Sequence, residues 1–183
     1  MNIRTELCKE QSTSQRLRIV DFILENNAEF AQLMTIFLSE NLRLQQRSAW
    51  IVGRICIKNP ELLKPFYRPI LNRLQLPETS DTFKRNVVRV WQEVDLPEQF
   101  FGEIYDLCLR FLSGKEAIAI KAFSMTVCYN ISQNFPELKP ELLAALEDVL
   151  MKDGQNSKGI LSRGNKTLKM LKKDLNMLYF TTK

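Results

Sequence analysis

An internal repeat is the feature that most constrains how this chain can fold. A basic residue opens an apolar, helix-length segment five times, at intervals of 31, 38, 36 and 42 positions. Periods of about 20–50 residues are typical of chains built from stacked supersecondary units, none of which can bury its apolar face alone. The chain is therefore predicted to be an array of similar units. The five basic residues are Arg16, Arg47, Arg85, Lys121 and Arg163.

A Pro-Glu pair falls between these segments and marks where a partner helix begins. Pro60, Pro97 and Pro136 are 37 and 39 residues apart. Proline is favoured at the first helical position, and Glu just behind it suits the positive end of the helix dipole. The segments have apolar residues at i, i+3, i+4 and i+7, and none has the alternation of a strand. This predicts an all-α chain of about nine helices in antiparallel pairs, at residues 14–26, 28–40, 42–58, 60–75, 82–95, 97–113, 116–134, 136–151 and 158–173.

Paired helices with this period resemble HEAT repeats of a degenerate, bacterial type. In that family a proline often kinks the first helix, as Lys64-Pro65 and Arg68-Pro69 would. The second helix opens near an Arg followed by small and apolar residues, as in Arg47-Ser48-Ala49. The acidic residue that the family often places six positions before that Arg is absent. Those positions hold Asn41, Thr79, Lys115 and Ser157.

The resemblance covers about residues 14–175 and implies a right-handed α-α superhelix of four to five repeats. The chain is then a single HEAT-like domain over 1–183, with an N-terminal extension at 1–13 and a C-terminal tail at 174–183. In such arrays the second helices lie side by side and form one recognition face.

The composition argues against catalysis. The chain has no histidine, which is the usual group for proton transfer near neutral pH and the commonest metal ligand. It has no Gly-rich phosphate loop. Its four cysteines are far apart, and Cys56, Cys108 and Cys128 lie among apolar neighbours typical of buried thiols. We therefore expect no catalytic residue, cofactor or metal site, and no enzyme activity.

The N-terminal residues and the length of the apolar runs indicate where in the cell the protein is found. The first residues lack the apolar core of a signal peptide. No apolar run approaches the length of about 18 residues that a membrane span would need. The sequence thus predicts a cytoplasmic protein that does not enter a membrane.

The basic residues of the second helices are the candidate binding residues. In a stacked array they would recur in register and form a basic, partly aromatic groove. Two interpretations stay open. These charges either cap neighbouring helices and pair with Asp81, Glu93 and Glu116, or they bind an acidic peptide or a nucleic-acid backbone. The candidates are Arg47, Trp50, Arg54, Arg85, Arg89, Lys121, Arg163 and Lys166.

The predicted function is a non-enzymatic protein-interaction scaffold that uses the face lined by the second helices, with a protein or acidic peptide as partner. The alternative is a nucleic-acid-binding protein similar to bacterial alkylpurine DNA glycosylases. Those enzymes use aromatic residues and an Asp beside the lesion, and Trp50, Trp91 and Asp95 are the residues of this chain that could take that role. Residues 152–183 carry eight Lys or Arg against two Asp, a net charge of +6. That basic segment is either a solvated end helix or a second contact.

Overall fold

A computed structural model describes residues 1–181 of the chain, and the side chains of residues 1–177. Residues 1–181 contain ten α-helices and no strand, which confirms the all-α fold. The nine predicted helices are all present, and the tenth, α1, lies in the segment predicted as an extension. The helices are α1 Ile3–Lys9, α2 Thr13–Glu25, α3 Phe30–Phe37, α4 Leu42–Lys58, α5 Tyr67–Leu74, α6 Asp81–Trp91, α7 Phe101–Ser113, α8 Ile118–Ser132, α9 Lys139–Asp153 and α10 Lys158–Thr181.

Side-chain caps start most of the second helices of the pairs. The side chain before α2, α4, α6 and α10 accepts a hydrogen bond from the backbone N–H three residues later. Such a cap satisfies one of the donors that the first helical turn leaves unpaired. Asn41 and Ser157, at two of the positions where the acidic residue is absent, act as caps instead. The capping residues are Ser12, Asn41, Ser80 and Ser157.

The first helices of the later pairs begin with a 3-10 segment. Pro60 and Pro136 are the first residues of two of these segments, and Pro97 directly precedes a third. Pro65 lies within the longest one, and α5 begins two residues after it. Because proline lacks an N–H and its ring clashes with the preceding turn, it breaks a regular α-helix. The proline-interrupted first helix predicted from the sequence is confirmed. The segments are Asn27–Glu29, Pro60–Phe66, Glu98–Phe100 and Pro136–Leu138.

Residues 1–97 form one compact unit, in which α4 packs against α2, α3 and α6. Phe37 stacks on Phe83 with their ring centroids 4.7 Å apart. A β-carbon added at Gly53 of α4 would lie 3.6 Å from Val90 of α6, which is ordinary van der Waals contact. The three second helices α2, α4 and α6 therefore lie next to one another, and α4 is the middle one.

Residues 98–183 form the second compact unit, in which α8 packs against α7 and α10, and α10 packs against α9. The approach of α10 to α9 is close, since a β-carbon added at Gly164 would lie 2.7 Å from a methyl group of Leu150. Of the helices described in either unit, none combines the length and the apolar character needed to span a bilayer.

Candidate functional site

Two arginines flank one indole ring on the second helices of residues 1–97. The Arg16 guanidinium carbon lies 5.1 Å from the centroid of the Trp50 ring, and the Arg54 carbon lies 5.7 Å from it. A cation over an indole contributes about 0.5–1 kcal/mol at an exposed site. Arg16 comes from α2, whereas Trp50 and Arg54 are one turn apart on α4. Arg43 and Arg47 continue the same side of α4, and we call these five residues the basic–aromatic cluster.

Arg47 connects this cluster to the N-terminal helix. Its Nη1 donates a hydrogen bond of 2.6 Å to the carbonyl of Leu7, in the last turn of α1. With the Gln11 amide oxygen turned toward it, Gln11 accepts from Nε and Nη2 of Arg47 at 2.7 and 2.8 Å. A basic side chain at the end of a helix satisfies carbonyls that have no partner within that helix. Arg47 thus caps a neighbouring helix, which is one of the two roles the sequence left open.

A cleft of about 110 Å³ opens beside this contact. Arg16 lines it, and the Nε of Arg16 is buried with no hydrogen-bond partner among the described residues. An N–H left buried without an acceptor costs about 1–3 kcal/mol. The cleft walls are rich in side-chain N–H donors and include one carboxylate, that of Glu10. The polar lining residues are Glu10, Gln11, Gln15, Arg16, Arg43, Gln46 and Arg47, beside Leu7 and Trp50.

Several exposed arginines of this unit have no charge partner among the described residues, among them Arg43, Arg85 and Arg89. Arg43 precedes Arg47 by one turn of α4, and Arg85 and Arg89 are one turn apart on α6. None of the three forms an ion pair with a described residue. Arg54 follows Gly53 in the sequence and Arg89 precedes Val90, and Gly53 and Val90 are where α4 and α6 meet. The second helices of residues 1–97 therefore present positive charge that the described part of the unit does not neutralise.

The five basic residues that carry the repeat signal do not recur in register. Arg16 and Lys121 follow their N-cap residues by four positions, Arg85 by five, and Arg47 and Arg163 by six. Two positions along an α-helix turn a side chain by about 200°. The five residues therefore do not occupy one equivalent helix position in each repeat, which the groove expected from the sequence required.

In residues 98–183 the corresponding basic residues have structural partners. Lys121 is buried, and its Nζ lies 2.6 Å from Asp153. Arg163 donates to the hydroxyl of Thr126 at 2.9 Å. Lys166 is exposed on α10. One cleft of this unit, about 390 Å³, contains the Lys121–Asp153 and Lys152–Asp148 ion pairs, so its charges are largely neutralised within its own walls.

Asp174 of α10 is the other charged centre of this unit. Its Oδ2 accepts hydrogen bonds from Tyr129, Gln133 and Lys139 at 3.1, 3.1 and 3.2 Å. Partial burial raises the pKa of the Asp174 carboxyl, but the bonds from Gln133, Lys139 and Tyr129 outweigh it and hold that pKa below its usual value. This carboxylate joins α10 to α8 and to the start of α9.

The groups considered for chemistry are buried or dispersed. Cys56, Cys108 and Cys128 are buried, and desolvation raises the pKa of the Cys56 thiol to about 12. Among the described residues, no three metal-ligating side chains gather at one point. Trp91 is 1% exposed and stacks on Tyr67. It therefore cannot stack on a DNA base at the surface, as the glycosylase-like alternative requires. Only Trp50 of the two tryptophans reaches the surface.

The repeat and its geometry agree with a comparison against protein families. A family model described as a HEAT repeat domain matches residues 3–171. The chain belongs to the HEAT repeat family. Searches of the curated proteins and of the solved structures found no significant match. HEAT repeats are commonly used for protein interaction, and the family is typically non-enzymatic.

This HEAT repeat chain brings together residues that the sequence analysis did not choose as binding residues. Arg16, Arg43 and Gln46 line the same cleft as Arg47 and Trp50. Arg43 could have been found from its helical spacing, since positions 43, 47, 50 and 54 share one side of α4. Arg16 was noted as a repeat marker, but only the packing of α2 against α4 places its guanidinium over Trp50.

Proposed function

We propose that this protein is a non-enzymatic interaction module that binds an acidic segment of a partner protein on the second helices of residues 1–97. One observation carries the proposal. Exposed Arg43, Arg85 and Arg89, without ion pairs to described residues, accompany a half-buried Trp50 that has two guanidiniums within 5.7 Å of its ring centroid. Arginine and tryptophan are the residues most enriched where binding energy concentrates in protein interfaces.

Acidic side chains are the complement of these arginines, since Asp81 and Glu93, one turn from Arg85 and Arg89, form no ion pair with them. Unpaired guanidiniums attract carboxylates over a distance and then bind them bidentately at contact. Arg54, Arg85 and Arg89 would supply the charge and Trp50 the apolar anchor. Lys121 is left out of the proposed surface because it is buried and paired with Asp153. Arg163 also has a partner within its own unit, and Lys166 is kept as an exposed second contact.

Binding of a fluorescein-labelled peptide rich in Glu and Leu tests the proposal by fluorescence anisotropy. We expect the Arg85→Glu/Arg89→Glu protein to bind at least about tenfold more weakly than the wild type, a loss of about 1.4 kcal/mol. The matched control is Arg110→Glu/Lys115→Glu, which makes the same charge change at exposed residues at the end of α7 and in the turn after it. Equal losses in the two proteins would mean that only net charge matters, and no binding by the wild type would refute the proposal.

A nucleic acid is the second candidate, because the same arginines and Trp50 could contact phosphates and a base. A labelled DNA duplex measured in the same assay separates the two. A duplex that binds more tightly than the acidic peptide, with a steep salt dependence that Arg85→Glu/Arg89→Glu removes, would establish the nucleic-acid class. Release of free base from alkylated DNA would show that the protein is an enzyme.

A cytoplasmic location is part of the proposal. All four cysteines are free, including the exposed Cys8. Free thiols are usual where glutathione and thioredoxin keep proteins reduced. Fractionation of the source cells, followed by immunodetection of the chain, would place the protein in the soluble fraction if this is correct.

A further inference from the structure

The cleft beside Arg47 is small, and its size restricts what can enter it. Its volume is about 110 Å³, against about 390 Å³ for the cleft around Lys121. A cleft of this size suits one small polar group of a few heavy atoms.

The charge of the cleft walls is positive. Arg16, Arg43 and Arg47 line it, and Glu10 is the carboxylate among its lining residues. The surplus is close to two positive charges. A carboxylate would neutralise only part of this surplus, whereas a phosphoryl group carries a charge of about −1.5 to −2 near neutral pH.

The donors of the cleft suit several acceptors at once. Arg16 keeps Nη1 free of hydrogen bonds to described residues, whereas its Nη2 donates to Thr13 and its Nε is buried, and Arg43 has no ion pair or hydrogen bond with a described residue. The Gln46 amide is exposed at the same wall. Two guanidiniums and an amide can serve the three free oxygens of a phosphoryl group, and guanidinium matches phosphate geometry bidentately.

We propose that this cleft is the anchor pocket for a phosphorylated serine or threonine side chain of the partner protein. The inference rests on the proposed function, because the rest of the acidic segment would lie along Trp50 and the exposed arginines. Arg43 would hold the phosphoryl group at the open side. Arg47, whose contacts with Leu7 and Gln11 fix it in place, would contribute mainly its charge.

Peptides with identical acidic flanks test the pocket, measured by anisotropy with the full chain. The central residue is phosphoserine in one peptide and serine in the second, and the third has two adjacent glutamates. The two glutamates match the charge of the phosphoryl group but lack its tetrahedral shape. We expect the wild type to bind the phosphoserine peptide about tenfold more tightly than the two-glutamate peptide. Arg43→Gln should reduce that ratio to less than about threefold. Arg89→Gln, outside the cleft, should weaken both peptides and keep the ratio.

The outcomes separate this inference from the proposed function. If the two-glutamate and phosphoserine peptides bind equally well, the pocket is not selective for phosphate, although the acidic-segment proposal stands. If no acidic peptide binds, both are overturned. Tighter binding of a 5′-phosphorylated oligonucleotide than of the phosphoserine peptide would overturn the assignment to a protein partner. Competition by inorganic phosphate in the wild type but not in Arg43→Gln would support the pocket independently of the peptides.

Discussion

The two compact units use the same sequence signal in different ways. In residues 1–97, the exposed basic residues Arg43, Arg85 and Arg89 of the second helices have no ion-pair partners among the described residues. In residues 98–183, Lys121 is buried and paired with Asp153, and Arg163 donates a hydrogen bond to Thr126. A basic residue inside an apolar helical segment is therefore not by itself a sign of binding. Its burial and its partner decide the role.

The clefts of the two units differ in the same manner. The cleft around Lys121, in residues 98–183, has lysines and aspartates that pair with each other. The smaller one, in residues 1–97, has three arginines against one glutamate. Size alone would not select the cleft beside Arg47, because an anion is attracted by charge that the walls have not already neutralised.

Removal of the Asp174 carboxylate should have the largest effect on stability. Asp174→Ala leaves Lys139, which is 7% exposed, with no ion-pair partner among the described residues, and it deprives Tyr129 and Gln133 of an acceptor. We expect a loss of about 2–3 kcal/mol in the free energy of unfolding. Urea unfolding followed by far-UV circular dichroism measures it.

The matched control for this change is Glu147→Ala. Glu147 pairs with Lys172 of α10, but both side chains are 52% exposed. Exposed pairs contribute about 0–1 kcal/mol. Equal losses in Asp174→Ala and Glu147→Ala would contradict the structural role that we assign to Asp174.

Acid pH should reduce the stability of residues 98–183 by protonating the Asp174 carboxylate. The folded pKa of Asp174 lies below its usual value, so its contribution is present above the unfolded pKa and is lost as pH falls through the folded one. We expect that loss below about pH 4. It should be smaller than the effect of Asp174→Ala, because a protonated carboxyl still accepts hydrogen bonds. Urea midpoints between pH 7 and pH 3 should fall less steeply in Asp174→Ala than in the wild type.

Lys121→Met should have an intermediate effect. It keeps the apolar stem of the side chain and removes the ammonium that lies 2.6 Å from Asp153. Asp153 is 38% exposed and can be partly hydrated, so we expect a loss of about 1–2 kcal/mol. Lys152→Met, at a lysine that is 62% exposed, is the control and should cost less than about 0.5 kcal/mol. If Lys121→Met proves as mild as the control, Lys121 returns to the binding candidates.

Arg85→Gln/Arg89→Gln should have the smallest effect on stability. Both side chains are exposed without ion pairs to described residues, and such surface changes usually stay within about 0.5 kcal/mol each. The same protein should bind the acidic peptide more weakly. Substitution of these arginines should therefore lower affinity and leave stability nearly unchanged, whereas Lys121→Met should lower stability. A large loss of stability here would show that these arginines have a structural role.

Sequence alone determined the helical repeat of this protein. Its proline markers and apolar spacing predict nine of the ten helices described, because both are local features of the sequence. Helix α1 was missed, since it has only seven residues and two buried side chains. Its existence depends on Asn2 as a cap and on packing against α3 and α4, neither of which periodicity reports.

Only the tertiary structure decided what the basic residues do. Arg16 and Trp50 are 34 positions apart, and Lys121 and Asp153 are 32 positions apart, yet each pair is in contact. A charge acts on whatever lies within a few ångströms, and for these side chains the neighbours come from other helices. The repeat therefore follows from the chain itself, while which arginines and lysines are buried or paired, and which stay exposed, follows from how the helices pack.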